Sequence, residues 1–182
     1  MTDSVHYEVV REYGRVEIRR YPPITLATVS AASDNEAFSI LFDYISGNNE
    51  PSERIAMTAP VISRKQGGER LAMTAPVISA TGSFSFVLPS SYNAGSAPRP
   101  RSRSIRLEDI PSRLVAVIGF AGRAKDRDLE EEERELVETM GKNGLKAIGG
   151  PFLMRYNSPF TPGFMRHNEL GYEIEDAGSI PK

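Results

Sequence analysis

A nonapeptide that occurs twice constrains the middle of this chain. Residues 55–63 read Ile-Ala-Met-Thr-Ala-Pro-Val-Ile-Ser, and residues 71–79 repeat them 16 positions later with Leu71 in place of Ile55. Two copies at so short a period cannot stack into a solenoid, which needs several repeats to bury a continuous core. They can run antiparallel. With a turn at Gly67-Gly68, Met57 faces Ile78 and Ile62 faces Met73, in a hairpin of near two-fold symmetry where each proline meets an alanine. Thr58 and Thr74 have no histidine or lysine base beside them, so the motif does not read as a nucleophile site.

The segments around this hairpin are mostly strand-like. Tyr7, Val9 and Arg11 alternate with their neighbours, Gly14 marks a turn, and Val16 and Ile18 resume the period of two. Pro22-Pro23 interrupts the ladder before a β-rich run at 24–29. Residues 84–88, 105–110, 114–120, 152–156 and 170–174 complete the strand set. Ser33 followed by Glu36 makes a capping box, and Phe38, Leu41, Phe42 and Ile45 follow at helical spacing until Gly47. A second helix starts near Asp126 and ends at Gly141 or Gly144, with Leu129, Leu136, Val137 and Met140 as its buried face and Glu130 to Glu133 turned to water.

This order, strand, strand, helix, strand, occurs on both sides of a proline-, arginine- and serine-rich stretch at 95–104. It predicts an α+β fold, a distorted and mainly antiparallel β-barrel of two similar halves at about 5–95 and 104–176, each with one helix. One domain over residues 1–182 accounts for the length. A net charge of -2 gives no single-sign field, so neither nucleic acid nor a membrane is expected as partner. The absence of cysteine removes thiolate chemistry and disulfides, and no apolar run has the length of a signal peptide or a membrane span, which reads as a cytoplasmic protein.

The paired Ala-Met-Thr-Ala-Pro-Val element resembles the SOUL/heme-binding-protein family. So do the early Tyr-Glu-Val-Val-Arg-Glu-Tyr-Gly stretch with Glu17-Ile18-Arg19-Arg20-Tyr21, the Phe84-Ser85-Phe86-Val87-Leu88-Pro89 segment, and the late stretch from Tyr156-Asn157-Ser158-Pro159-Phe160 to Phe164-Met165-Arg166. The resemblance runs from about Tyr7 to Ile174. It implies the same two-half barrel, akin to gyrase-inhibitor-like effector domains, and reversible binding of heme or a related tetrapyrrole as carrier or buffer, without catalysis.

It also implies a porphyrin pocket beside the first helix, carried here by Phe38, Leu41, Phe42 and Ile45, with Arg54 placed to meet propionates. Met57 and Met73, whose soft side chains adapt to irregular shapes, fill a gap in the core or, as the second reading, line the pocket. A porphyrin needs an apolar wall and a charged rim, which these residue types supply. The competing reading of the same helix face is plain packing on the sheet. The axial iron ligand is left open. His6 and His167 both lie far in sequence from the first helix, His167 reads as a solvated loop residue, and Tyr44, Met57 or Met73 are the weak ligands that remain. Two further readings stand beside this one: a binding module for another apolar effector, and a tetrapyrrole-modifying enzyme. Arg99, Arg101, Arg103 and Arg106 read as a solvated linker.

Overall fold

The computed structural model describes residues 3–64, 82–157 and 160–176. Its elements in chain order are β1 (Asp3–Ser4), β2 (Glu8–Tyr13), β3 (Val16–Tyr21), β4 (Ile24–Ser30), α1 (Asp34–Ile45), β5 (Asn49–Glu50), β6 (Thr58–Arg64), β7 (Ser83–Val87), β8 (Arg99–Pro100), β9 (Ile105–Ile110), β10 (Arg113–Ala121), α2 (Asp126–Lys142), β11 (Ala147–Arg155), a 3₁₀ turn (Gly163–Met165) and β12 (His167–Ile174). The class is α+β, and strand pairing is antiparallel in each ladder described below.

The chain forms two compact units, and they do not follow the linear halves expected from the element order. One is built from residues 25–109 with the first three residues; the other joins residues 4–24 to residues 110–182. The reason lies in the register of β3, which pairs along its whole length with β10, matching Val16 to Ile118, Ile18 to Ala116 and Arg19 to Val115. The β2–β3 hairpin, closed by Gly14 at a φ of 63° that favours glycine, therefore belongs with the C-terminal strands.

In the first unit the strands run in the order β6-β7-β4-β9, and β5 pairs separately with β8. Leu26 lies opposite Val87 and Val29 opposite Phe84 across the β4–β7 ladder. Helix α1 starts where the capping box places it: Ser33 Oγ accepts from the Glu36 amide at 3.2 Å, and Glu36 accepts from the Ala32 amide at 3.2 Å. Such a cap is worth about 1 kcal/mol. Ala37, Leu41, Tyr44 and Ile45 then repeat at helical spacing and bury against Val29, Phe84, Phe86 and Leu88. Pro60, which has no amide to donate, sits where the β6–β7 register shifts between Thr58 and Val61. The facing of Met57 with Ile78 and of Ile62 with Met73 involves the second copy of the nonapeptide, which lies outside the described residues; Ile62 pairs with Ser85 of β7.

In the second unit the order is β2-β3-β10-β12-β11. Leu114, Ala116 and Ile118 of β10, with Val16, Ile18, Leu170 and Ile174, form one face and cover Leu136 and Met140 of α2. Val137, expected in the core, is 48% exposed, because a step of one residue turns about 100° around a helix and carries it off the face of Leu136. The acidic run is only partly turned to water. Glu132 binds Arg15 at 2.9 Å, and Glu133 accepts from the Tyr172 hydroxyl at 2.6 Å. The opposite face of this sheet carries the odd-numbered residues of β3 and β10, where Glu17, Arg19 and Tyr21 of β3 lie beside the buried Val115 and Val117 of β10.

Candidate functional site

Two places in the molecule present chemistry beyond packing, one in each unit. The first is the outer edge of α1. Of the four helix residues expected to line a porphyrin pocket, Leu41 is fully buried and Ile45 nearly so, and both belong to the hydrophobic core. Here the plain packing reading holds. Phe38 is half-buried and touches the core at its rim: its ring meets the buried Phe86 edge-on at 5.4 Å and stacks on Phe42 at 5.8 Å with an interplanar angle of 13°. Phe42 is 50% exposed. The three rings thus run from the core to the surface, and the outermost presents a flat apolar face held in place from behind.

Arg54 is held beside the C-terminal end of the same helix. Asn49, fully buried, donates from Nδ2 to the carbonyls of Tyr44 and Glu53, both at 2.8 Å, and accepts from the Glu53 amide at 2.9 Å. The Ile55 amide then donates to the Ile45 carbonyl at 2.8 Å. One asparagine side chain therefore satisfies three backbone groups and fixes the course of residues 53–55 against the helix end. Arg54 is exposed, and Met57 is half-buried against the core cluster. Met73 lies outside the described residues. Tyr44, considered as an iron ligand, is buried and spends its hydroxyl on the Pro98 carbonyl at 2.8 Å; burial pushes its pKa up to about 12, so it keeps its proton and is not available to a metal. His6 is exposed on the chain leading into β2.

The second place was not foreseen from the sequence. On the polar face of the second unit, Arg19 of β3 and Glu169 of β12 form a buried bidentate pair at 2.8 and 2.9 Å. Arg19 also donates to Glu17 at 2.7 Å and to the Tyr21 hydroxyl at 3.1 Å, and its guanidinium lies 4.0 Å from the centre of the Tyr7 ring. Glu169 in turn accepts from the Tyr156 hydroxyl at 2.6 Å. His167 is solvent-exposed, as expected, but it is the first residue of β12 rather than part of a loop, and its Nε2 lies 3.1 Å from Glu169.

Burial pushes the Glu169 carboxyl up, but hydrogen bonds from Arg19 and Tyr156 and the positive charge of Arg19 pull it further down, so it is held below its ordinary range. Burial, reinforced by Tyr21 and by the Glu169 carboxylate, raises Tyr156. The pair is thus fully charged and Tyr156 protonated at neutral pH. A cavity of about 380 Å³ opens over this face, floored by Val117 and Gly119 and walled by Arg15, Glu17, Arg19, His167 and Glu169. The period of two that puts Glu17, Arg19 and Tyr21 on one strand face was present in the sequence; what could not be read was that this face is covered. Among the described residues no cluster of three His, Asp or Glu side chains is arranged for a metal ion.

The profile of the SOUL heme-binding protein family matches residues 2–173. The chain belongs to this family. Relatives within it include Heme-binding protein 2 of Homo sapiens, 29% identical over 165 residues, covering 86% of this chain and 77% of that protein, and Heme-binding protein 2 of Mus musculus, 28% identical over 164 residues with the same coverage. Solved structures extend the likeness beyond the SOUL family at the level of fold alone. The crystal structure of the EcmrR C-terminal domain superimposes with a TM-score of 0.62 at 11% identity, over 93% of this chain and 98% of that one. A hydrolase from Listeria innocua gives 0.59 at 9% identity, over 91% and 94%. No helix among the described residues of this SOUL-family chain is long and apolar enough to cross a membrane.

Proposed function

We propose that this chain binds heme or a related tetrapyrrole reversibly, as a carrier or buffer rather than a catalyst, and that it does so on the aromatic edge of α1. The observation that carries this reading is the half-exposed Phe42 ring, stacked on Phe38 and braced through it by Phe86. A macrocycle laid on Phe42 removes apolar area from water at about 25 cal/mol per Å². The ring beneath it is already ordered, so little side-chain entropy is lost on contact. Arg54, exposed and anchored beside the helix end by the Asn49 clamp, supplies a cation for a propionate.

Iron coordination is the weak part of such a site, and that suits the role. Among the described residues Tyr44 is committed to Pro98 and His167 to Glu169, which leaves the half-buried Met57 thioether as a soft donor. A ligand held mainly by apolar stacking and one charge pair leaves readily, as a buffer requires. Membership of a heme-binding family and the absence of a catalytic constellation around Phe42 among the described residues both favour binding over catalysis. A cytoplasmic setting follows from the cysteine-free sequence as the natural place for such a buffer.

The test is a hemin titration read in the Soret band and by tyrosine fluorescence. Saturable binding is expected, weakened about tenfold or more in Phe42→Ala, the equivalent of about 1.4 kcal/mol. A flat difference spectrum with no saturable quenching sinks the proposal, and equal affinity of the variant removes the site from α1. The uncommitted state of the iron position also favours, second, an apolar effector other than heme. Native mass spectrometry of protein from its own host distinguishes the two by ligand mass, and heme recovered unchanged after incubation disposes of a tetrapyrrole-modifying enzyme.

A further inference from the structure

The cavity over the β3–β10–β12 face has no part in the heme reading, and its lining has a definite chemical preference. Register places the side chains of Glu17, Arg19, His167 and Glu169, with Gly119 among them, on one face of three adjacent strands. Glu17 lies opposite Val117, and Gly119 opposite Glu169. The inner end is closed by the Arg19–Glu169 pair, each partner at most 5% exposed, while Glu17, His167 and Arg15 stand at the mouth with side chains 33%, 54% and 50% exposed. Gly119 keeps the floor low. A Cβ there stands 3.2 Å from His167 Cε1, so a side chain at this position crowds the imidazole and raises the floor.

The charges decide what such a cavity can hold. Both guanidinium groups in it are already taken. Arg19 is bound by Glu169 and Glu17, and Arg15 by Glu132 and Glu135 of α2 as well as by the Gly119 carbonyl. Within the lining two arginines balance two carboxylates, and Glu132 and Glu135, outside it, hold Arg15 as well, so an anion entering the cavity finds neither guanidinium free. Glu17, by contrast, meets Arg19 through a single oxygen at a position still one-third open to water. Glu17 is thus the least committed charge in the lining, and a cation entering the open mouth of the cavity meets its free oxygen at short range.

We propose that this cavity is a second ligand site, distinct from the heme surface, which takes a small organic cation such as an amine, amidine or guanidine headgroup, with Glu17 as its charge partner and His167 as the neighbouring hydrogen-bonding group. The Arg19–Glu169–Tyr156 network is its rigid inner wall. The volume, about 380 Å³, accommodates a ligand of one or two rings.

Three probes of one shape and three charges test this: benzamidine, benzamide and benzoate, each titrated into the ¹⁵N-labelled chain and followed by amide shifts. Benzamidine is expected to move the amides of Gly119, His167 and Glu169 saturably, benzamide more weakly, and benzoate not at all. Glu17→Gln is expected to weaken benzamidine at least tenfold while leaving hemin affinity unchanged, which separates this site from the α1 surface. Equal shifts from benzoate, shifts confined to residues outside the cavity, or no shift at millimolar benzamidine each overturn the proposal. Should Glu17→Gln prove unstable, Gly119→Ala, which raises the floor and crowds His167, is expected to weaken the benzamidine shifts, and retention of full affinity there also overturns it.

Discussion

Arg19 and Glu169 grip each other through two hydrogen bonds although a whole strand, β10, runs between theirs. Arg19 is level with Val115 and Glu169 with Gly119, so the guanidinium reaches along a diagonal that passes Val117. The reach is open because Gly119 has no side chain to stand against Glu169. The pair ties β3 to β12, which backbone hydrogen bonds alone do not connect.

Removing one partner leaves a buried charge without compensation. Glu169→Gln and Arg19→Leu are each expected to cost about 3–5 kcal/mol in urea unfolding. The double variant Arg19→Leu/Glu169→Leu is expected to cost less than the sum of the two, since no lone charge remains. Additive losses would show that the two side chains act independently, against the geometry.

The depressed carboxyl of Glu169 also sets a pH dependence. Its folded pKa lies below the ordinary value of 4.5, so the unfolded chain takes up this proton first as pH falls. The stabilisation is fully present above the unfolded value and is lost as pH drops through the lower folded value. Melting temperature is expected to fall from about pH 5 downwards in the parent chain, and less steeply in Glu169→Gln. Parallel curves for the two proteins contradict this assignment.

On α1, adjacent positions are expected to separate stability from binding. Leu41→Ala opens a cavity in the core and is expected to cost about 2–5 kcal/mol. Phe42→Ala, at a half-exposed position, is expected to cost about 1 kcal/mol or less in stability while carrying the loss of hemin affinity. Differential scanning calorimetry beside the Soret titration reads both. A Phe42→Ala protein as unstable as Leu41→Ala places that ring in the core after all.

Asn49 is expected to matter to both properties. Asn49→Ala leaves the carbonyls of Tyr44 and Glu53 and the Glu53 amide to find new partners, at a cost of about 2–3 kcal/mol. It also frees the segment bearing Arg54, so hemin affinity is expected to drop even at temperatures where the variant is folded. Full affinity in the folded variant argues that the clamp has no part in presenting the site.

Much of the fold could be read from local signals. The capping box at Ser33, the period of two through Val16 and Ile18, and the stop at Gly47 are all interactions between near neighbours, and each element stands where they put it. The partnership of β3 with β10 could not be read, because register is decided by side chains far apart in sequence that meet only in the folded sheet. The candidate site shows the same division. Helical spacing identified the stripe of Phe38, Leu41, Phe42 and Ile45, but which members face inward depends on a rotation that only the sheet beneath fixes. The buried network of Arg19, Tyr156 and Glu169 escaped because charged residues at alternating positions look the same whether their face is wet or covered. His167 escaped because its partner, two residues on, is the one carboxylate on β12 that the fold takes fully out of water among those it pairs.

The late pairing of β3 imposes an order on synthesis. As the chain leaves the ribosome, β2 and β3 emerge well before the strand that completes their ladder, Arg113–Ala121, which appears only after the whole of residues 25–109 has been made. Until then Val16 and Ile18 have no α2 to cover them and the outer edge of β3 is bare, the situation in which a nascent hairpin is prone to pair with other chains. The segment in between carries its own core and can fold while it waits. A cell making this protein thus carries the open edge of the β2–β3 hairpin until Arg113–Ala121 has been made, and a holdase bound to that hairpin during elongation is the simplest protection against it.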